Sequence, residues 1–269
     1  MSYLENFHYQ LLGHPTSPRK LVFLHGLMGF GQNWMRIAQA FAEDHHILLL
    51  DQRGHGRSFH PATGYSPKDY AEDLRRILEE LDWSKIVLVG HSMGGRNALE
   101  FTHSYPQMIE KLVIEDIGPA VNHFGSNFIS ELLDFVPIQF ENKKAAKSFF
   151  DKQFIEKFSK TTNVKGLSQF MFANIKEDEN KKAVWRFYLP GIRESLAQGR
   201  AEVRWNEIEA LEVPTLWIHG EKSQDLSREV FAEILKRNPK IQGVEIKNAG
   251  HWVHADKPED FIRTLLGFL

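Results

Sequence analysis

Cysteine is absent from the sequence, which rules out disulfides, thiolate metal sites and cysteine nucleophiles and leaves any covalent chemistry to an oxygen nucleophile. Also missing is an apolar run long enough to cross a bilayer, and the opening Met1-Ser2-Tyr3-Leu4-Glu5-Asn6 has no basic segment leading into an apolar one. A cytoplasmic protein without a membrane span is therefore expected. Positive charge is not in excess: the net charge is -2 over 269 residues, whereas a nucleic-acid surface needs a basic domain or stripe. His45-His46 and His254 show no metal-ligand spacing such as His-Glu-x-x-His, so no metal is expected. Repeats and low-complexity segments are lacking too. With 42% hydrophobic and 25% charged residues, the composition is that of a soluble globular chain suited to a small neutral or weakly charged ligand.

Among what is present, Ile86-Val87-Leu88-Val89-Gly90-His91-Ser92-Met93-Gly94-Gly95 stands out. An apolar, largely β-branched run leading into glycine reads as a strand buried on both faces of a parallel sheet, and a helix pattern begins directly after it. A serine at so tight a strand-to-helix bend takes a strained backbone conformation, and a Cβ at either flanking glycine would collide with a neighbouring strand or helix. Gly90-x-Ser92-x-Gly94 thus predicts a hydroxyl pushed out of the sheet, with Ser92 as nucleophile.

Strands and helices alternate on either side of this point. Strands are expected at Phe7 to Leu12, at an antiparallel edge, and at Leu21 to His25, Ile47 to Leu50 and Lys111 to Glu115; helices at about Asn33 to Asp44, from Ser66 with Pro67 in the first turn, and after Ser92 as far as Tyr105-Pro106. Gly26-x-x-Gly29-x-Gly31, followed by a strand ending in Asp51, outlines a dinucleotide-binding unit, but the order of its glycines is the reverse of the Gly-x-Gly-x-x-Gly fingerprint, so no nucleotide cofactor is expected. Asp51 to Ser58 reads as a glycine-rich turn in which Arg53 pairs locally. From 119 to 210 the alternation stops and the chain reads as helical and aromatic, with Phe149, Phe150, Phe154, Phe158, Phe170, Met171, Phe172, Trp185, Phe187 and Tyr188. The expected architecture is α/β, a doubly wound, mostly parallel sheet built from 1–118 and 211–269, with 119–210 inserted after the sixth strand as a helical lid. The aromatic residues would form the lid's own core, and some would line an acyl pocket. The sheet resumes at Val213 to Gly220; a helix at Ser227 to Arg237, a strand at Val244 to Lys247 and a final helix at Pro258 to Leu269 follow.

A serine hydroxyl needs a base to take its proton and a carboxylate to orient that base. His251, in the glycine-containing turn after the last strand, would be delivered to the sheet edge beside Ser92, in the chain order serine, acid, histidine. The acid stays open between Asp116, at the end of an earlier strand, and Asp225, with Glu221 and Glu115 as weaker candidates. Ser223 holds the place, three residues after Gly220, where an aspartate is usual. The amides of Leu27 and Met93 are the expected oxyanion donors.

The motifs HGLMG, DQRGHGRS, GHSMGG, PTLWIHG and AGHWVHADKP, in that order, make the sequence resemble the α/β-hydrolase superfamily over essentially its whole length, and more narrowly the YbfF-type bacterial esterases and their mitochondrial relatives in the abhydrolase group. Ala249 to Pro258, Ser223 and Asp116-Ile117-x-Pro119 carry the narrower likeness. It implies an acid after the earlier strand, Asp116, and action on short-chain esters, sometimes on acyl thioesters, without a cofactor. Asp225 departs from that pattern by standing close to the usual acid position. A thioesterase or lactonase would use the same residues, and a hydrolase-fold receptor with slow turnover is the reading from another class. Epoxide and haloalkane chemistry would need a carboxylate where Ser92 stands. The oligomeric state, monomer or dimer, is left open.

Overall fold

The computed structural model describes residues 2–119, 123–161 and 163–269. Among the described residues ten strands follow one another as β1 (Tyr9–Gly13), β2 (Lys20–Leu24), β3 (His46–Leu50), β4 (Ile86–His91), β5 (Ile109–Glu115), β6 (Gln139–Phe140), β7 (Ile175–Glu177), β8 (Ala183–Trp185), β9 (Thr215–Gly220) and β10 (Ile241–Ile246). Seven of them form one sheet in the order β1-β3-β2-β4-β5-β9-β10, parallel throughout except for β1, which runs antiparallel to β3 at the edge.

Alternation along the central strands assigns side chains to the two faces. Leu88, Leu112 and Ile114 pack with Leu74, Ile77, Leu78, Ala98 and Leu99 of the helices Pro67–Glu80 and Met93–Ser104. Val89, Val113 and Leu216 turn the other way, onto Trp34, Ile37 and Phe41 and onto Phe261 and Leu265 of the helix Pro258–Phe268. Both faces are covered, so the centres of these strands, Ile86–Val89, Leu112–Ile114 and Leu216–Ile218, are apolar without a break, as the sequence suggested for the strand before Ser92. Ser66 caps the helix Pro67–Glu80 in a capping box with Asp69, and Pro67 stands in its first turn, where a missing N–H costs nothing.

Four sequence expectations need correction. The excursion away from the sheet leaves from β5, the fifth strand, not the sixth. It is not wholly helical either: β6, β8 and β7 form a small antiparallel sheet, with strands of two or three residues that are too short to show a period. The helix expected from Asn33 to Asp44 is a 3-10 turn at Gly31–Trp34 followed by a single short helix, Met35–Gln39. Arg53 does not pair locally. Its guanidinium reaches Asp73 in the following helix with two nitrogens, and both side chains are buried.

The 119–210 segment has an apolar centre of its own, with Phe149, Phe150, Phe154, Met171 and Trp185 among its buried residues. Met28, from the loop after β2, is buried in that same cluster, and Leu27 and Trp252 pack against it. The insertion therefore rests on loops at the carboxyl edge of the sheet, where the candidate site lies.

Candidate active site

Ser92 stands between β4 and the helix Met93–Ser104 with φ +53° and ψ -115°, a conformation held in place because its neighbours over-determine it. A Cβ on Gly90 would come within 2.3 Å of the Gly94 carbonyl oxygen, and one on Gly94 within 2.4 Å of the Leu24 carbonyl oxygen. No side chain fits at either position. The Ser92 amide still donates to the Glu115 carbonyl oxygen at 3.0 Å, so the bend stays tied to the sheet.

Asp116, one residue past the end of β5, also has a positive φ, +52°. Its amide continues the ladder to the Ile218 carbonyl oxygen, 2.9 Å away. Its carboxylate is fully buried and accepts from the Gly220 amide at 2.9 Å, from the Ser223 hydroxyl, and from His251 Nδ1 at 2.8 Å. His251 Nε2 lies 3.0 Å from Ser92 Oγ. A carboxylate only accepts, so Nδ1 carries the proton, and in the neutral ring Nε2 is free to accept from the serine.

The structure thus brings Ser92, His251 and Asp116 into one hydrogen-bonded line. Asp225 stands apart from it, its nearest carboxylate oxygen 3.6 Å from His251 Nδ1 and partly open to solvent, beyond hydrogen-bond length. The weaker acid candidates are engaged elsewhere. Glu115 holds the Nδ1 of His254 at 2.8 Å, beneath a stacked Trp34, and Glu221 accepts from the Asn248 amide at 2.8 Å and from Lys247.

The loop that carries His251 is pinned at two points. Gly250 donates its amide to Asp256 at 2.8 Å, and the His251 carbonyl oxygen lies 2.9 Å from His91 Nε2. A carbonyl cannot donate, so His91 carries its proton on Nε2; burial and the neighbouring imidazoles push its pKa well down and keep it neutral. Burial alone would lower the His251 pKa, but the charge of Asp225 and the hydrogen bond and charge of Asp116 outweigh it and push the imidazole up to about 9. Asp116 feels the opposite pull: burial raises its carboxyl, against the three donors that favour the anion.

Leu27 and Met93 both line the cleft that opens at Ser92, and the Met93 amide is at the N-terminus of its helix, where backbone N–H groups lack partners within the helix. Arg96, Asn97, Ser195, Gly199 and Arg200 complete much of the wall. Sequence reasoning missed the two arginines, although Arg96 lies four residues after Ser92 and so one helical turn along the same face. It noted Ser223 only as a replacement; the serine in fact donates to the Asp116 carboxylate. The turn of Asp51 is structural, because its carboxylate accepts from the Gly31 amide at 2.7 Å and the Arg57 amide at 3.0 Å. Among the described residues no cluster of three or more metal-ligating side chains exists, and no helix is long and apolar enough to cross a membrane.

A family model described as the alpha/beta hydrolase fold matches residues 20–258. The chain belongs to that family. Esterase YbfF of Escherichia coli (strain K12) is 30% identical over 95% of this chain and 94% of its own length. The sn-1-specific diacylglycerol lipase ABHD11 of Mus musculus is 32% identical over 97% of this chain and 84% of its own. Among solved structures, a marine microorganism esterase superposes with a TM-score of 0.82 at 27% identity, covering 98% of this chain and 99% of that one. This α/β hydrolase is accordingly an enzyme that acts on ester bonds.

Proposed function

We propose that this hydrolase cleaves carboxylic esters of small or short acyl groups through an acyl-enzyme on Ser92. Ester hydrolysis is what the esterases and lipases among its relatives are named for. The finer reading is carried by one observation: a serine hydroxyl 3.0 Å from an imidazole whose far nitrogen is 2.8 Å from a buried carboxylate. His251 takes the serine proton as Oγ attacks the carbonyl and returns it to the leaving alkoxide; Asp116 holds the ring and offsets the imidazolium charge. The Leu27 and Met93 amides receive the oxyanion, about 3 kcal/mol of barrier each. Water then repeats the sequence on the acyl-enzyme. No cofactor enters. The 119–210 insertion serves as a lid, its aromatic core resting on the loop that carries the oxyanion amide.

The test is covalent. A fluorophosphonate should label the wild-type chain on Ser92 and leave Ser92→Ala unlabelled, and p-nitrophenyl acetate or butyrate should give a burst followed by steady turnover. Labelling elsewhere, or no labelling of folded protein, sinks the nucleophile. Thioesters and lactones assayed in parallel rank the acyl donors. A protein that bound its ligand with a rise in thermal stability and turned it over very slowly would instead be a receptor.

A further inference from the structure

The chemistry of the cleft wall goes beyond what a neutral short-chain ester requires. Arg96 is on the helix that follows the nucleophile, four residues and so one turn of about 5.4 Å from Ser92; it is buried, and its Nη1 is held by the Gly199 carbonyl oxygen at 3.0 Å. Arg200, the next residue in the insertion, lines the same cleft. Resting on the serine-hydrolase reading above, we infer that the cleft selects esters whose acyl chain bears a carboxylate roughly two to four carbons from the scissile carbonyl, read by Arg96 and Arg200.

Charge and shape both support this. Burial, then the neighbouring Arg200 and Arg204, push the Arg96 guanidinium down to about 9, and burial lowers Arg200 as well, so both cations are set in a partly desolvated wall. Arg204 pairs with Glu100 at 2.7 Å and Glu207 at 3.3 Å. Asp225 is the carboxylate that offsets both cleft arginines, and it faces His251 as well. An anionic substrate supplies a further negative charge beside the two guanidinium groups, where a desolvated, charge-assisted hydrogen bond is strong. Leu27, Pro67, Met93 and Leu196 give the same cleft apolar surface beside the polar Asn97 and Ser195, and that surface suits a short run of methylenes. The hydrolytic step is unchanged: the ester C–O bond breaks, water supplies the hydroxyl and the proton, and the product is a dicarboxylate.

The test compares monomethyl glutarate with methyl valerate, equal in acyl length and differing in charge, by pH-stat kcat/KM on the intact protein. The wild type should prefer the anion by about tenfold or more, the loss expected when a charged hydrogen bond is removed. The ratio of the two constants, which a lower folded fraction leaves alone, should fall towards one in Arg200→Gln and in Arg96→Gln and recover in part in Arg200→Lys. A wild-type ratio of one or less with the valerate turned over, or a ratio that survives both glutamine variants, overturns the inference. Should neither ester be cleaved, calorimetric titration of monomethyl glutarate into Ser92→Ala separates the two readings. Binding that Arg200→Gln abolishes keeps the anion cleft and removes the hydrolase; no binding removes the anion cleft.

Discussion

Replacing Asp225 with asparagine should make the enzyme faster at neutral pH, while the same change at Asp116 should cripple it. The imidazole must be neutral to take the serine proton, and with His251 pushed up to about 9 only about 1% of it is neutral at pH 7. The ascending limb of log kcat/KM against pH should therefore extend well above 7. The charge of Asp225 is the first of the groups that raise the ring, acting across 3.6 Å. A pair at that distance and partly in solvent is worth about 1 to 2 kcal/mol, or about one pKa unit. Asp225→Asn should move the limb about one unit towards acid, raise kcat/KM at pH 7 by up to about tenfold, and leave the alkaline plateau within a few-fold. Asp116→Asn removes the acceptor 2.8 Å from Nδ1 and frees the ring to take the wrong tautomer, so the plateau itself should fall by about 10³- to 10⁴-fold. The assay is kcat/KM for a neutral aryl ester between pH 6 and 10, with thermal melts confirming that each variant is folded. A plateau lost in Asp225→Asn and kept in Asp116→Asn would refute the assignment and make Asp225 the acid. Unshifted limbs in both would show that neither carboxylate sets the charge of the base.

The remaining predictions concern stability. Asp73→Ala leaves the Arg53 guanidinium buried and without its two-pronged partner, a loss of about 3 to 5 kcal/mol in urea unfolding; a change below about 1 kcal/mol would mean that water already reaches the pair. Ser92→Gly removes the cost of holding a side chain at φ +53° and should stabilise the fold by about 1 kcal/mol or more while abolishing turnover; a less stable variant would show that the bend carries no strain. Burial holds His25 down to about 4 and His55 down to about 3. Unfolded chains take up those protons near pH 6.5 and the folded chain does not, so stability is full above that pH and falls as pH drops towards 4, by about 1.4 kcal/mol per pH unit for each residue. Urea midpoints that stay flat between pH 6.5 and 4.5 would contradict this.

How much of the site shows in the sequence depends on whether backbone geometry forces a residue pattern. The Ser92 bend does, because a Cβ at Gly90 or Gly94 would lie within 2.4 Å of a backbone oxygen; the glycines are the visible trace of that crowding. Asp116 takes nearly the same left-handed conformation at the end of the adjacent strand, φ +52°, yet its flanks, Glu115 and Ile117, leave no such trace, since aspartate tolerates that region through its short polar side chain. Its rivalry with Asp225 could not be resolved from sequence because both lie on turns at the same sheet edge, and what separates them is the difference between 2.8 and 3.6 Å. The start of β10 was read late for a related reason: Gly243 has no side chain, and a Cβ there would meet Leu235 at 2.4 Å, so the apolar alternation that marks a strand is interrupted where the helix Arg228–Arg237 presses closest. Met28, in the loop after β2, likewise has a positive φ, +62°. Since β2, β4 and β5 are neighbours in the sheet, strained backbone stands at three adjacent strand ends, those that lead into Met28, Ser92 and Asp116. The centres of the same strands, Leu21–Leu24, Ile86–Val89 and Leu112–Ile114, are buried and apolar and so form a rigid scaffold against which that strain is held.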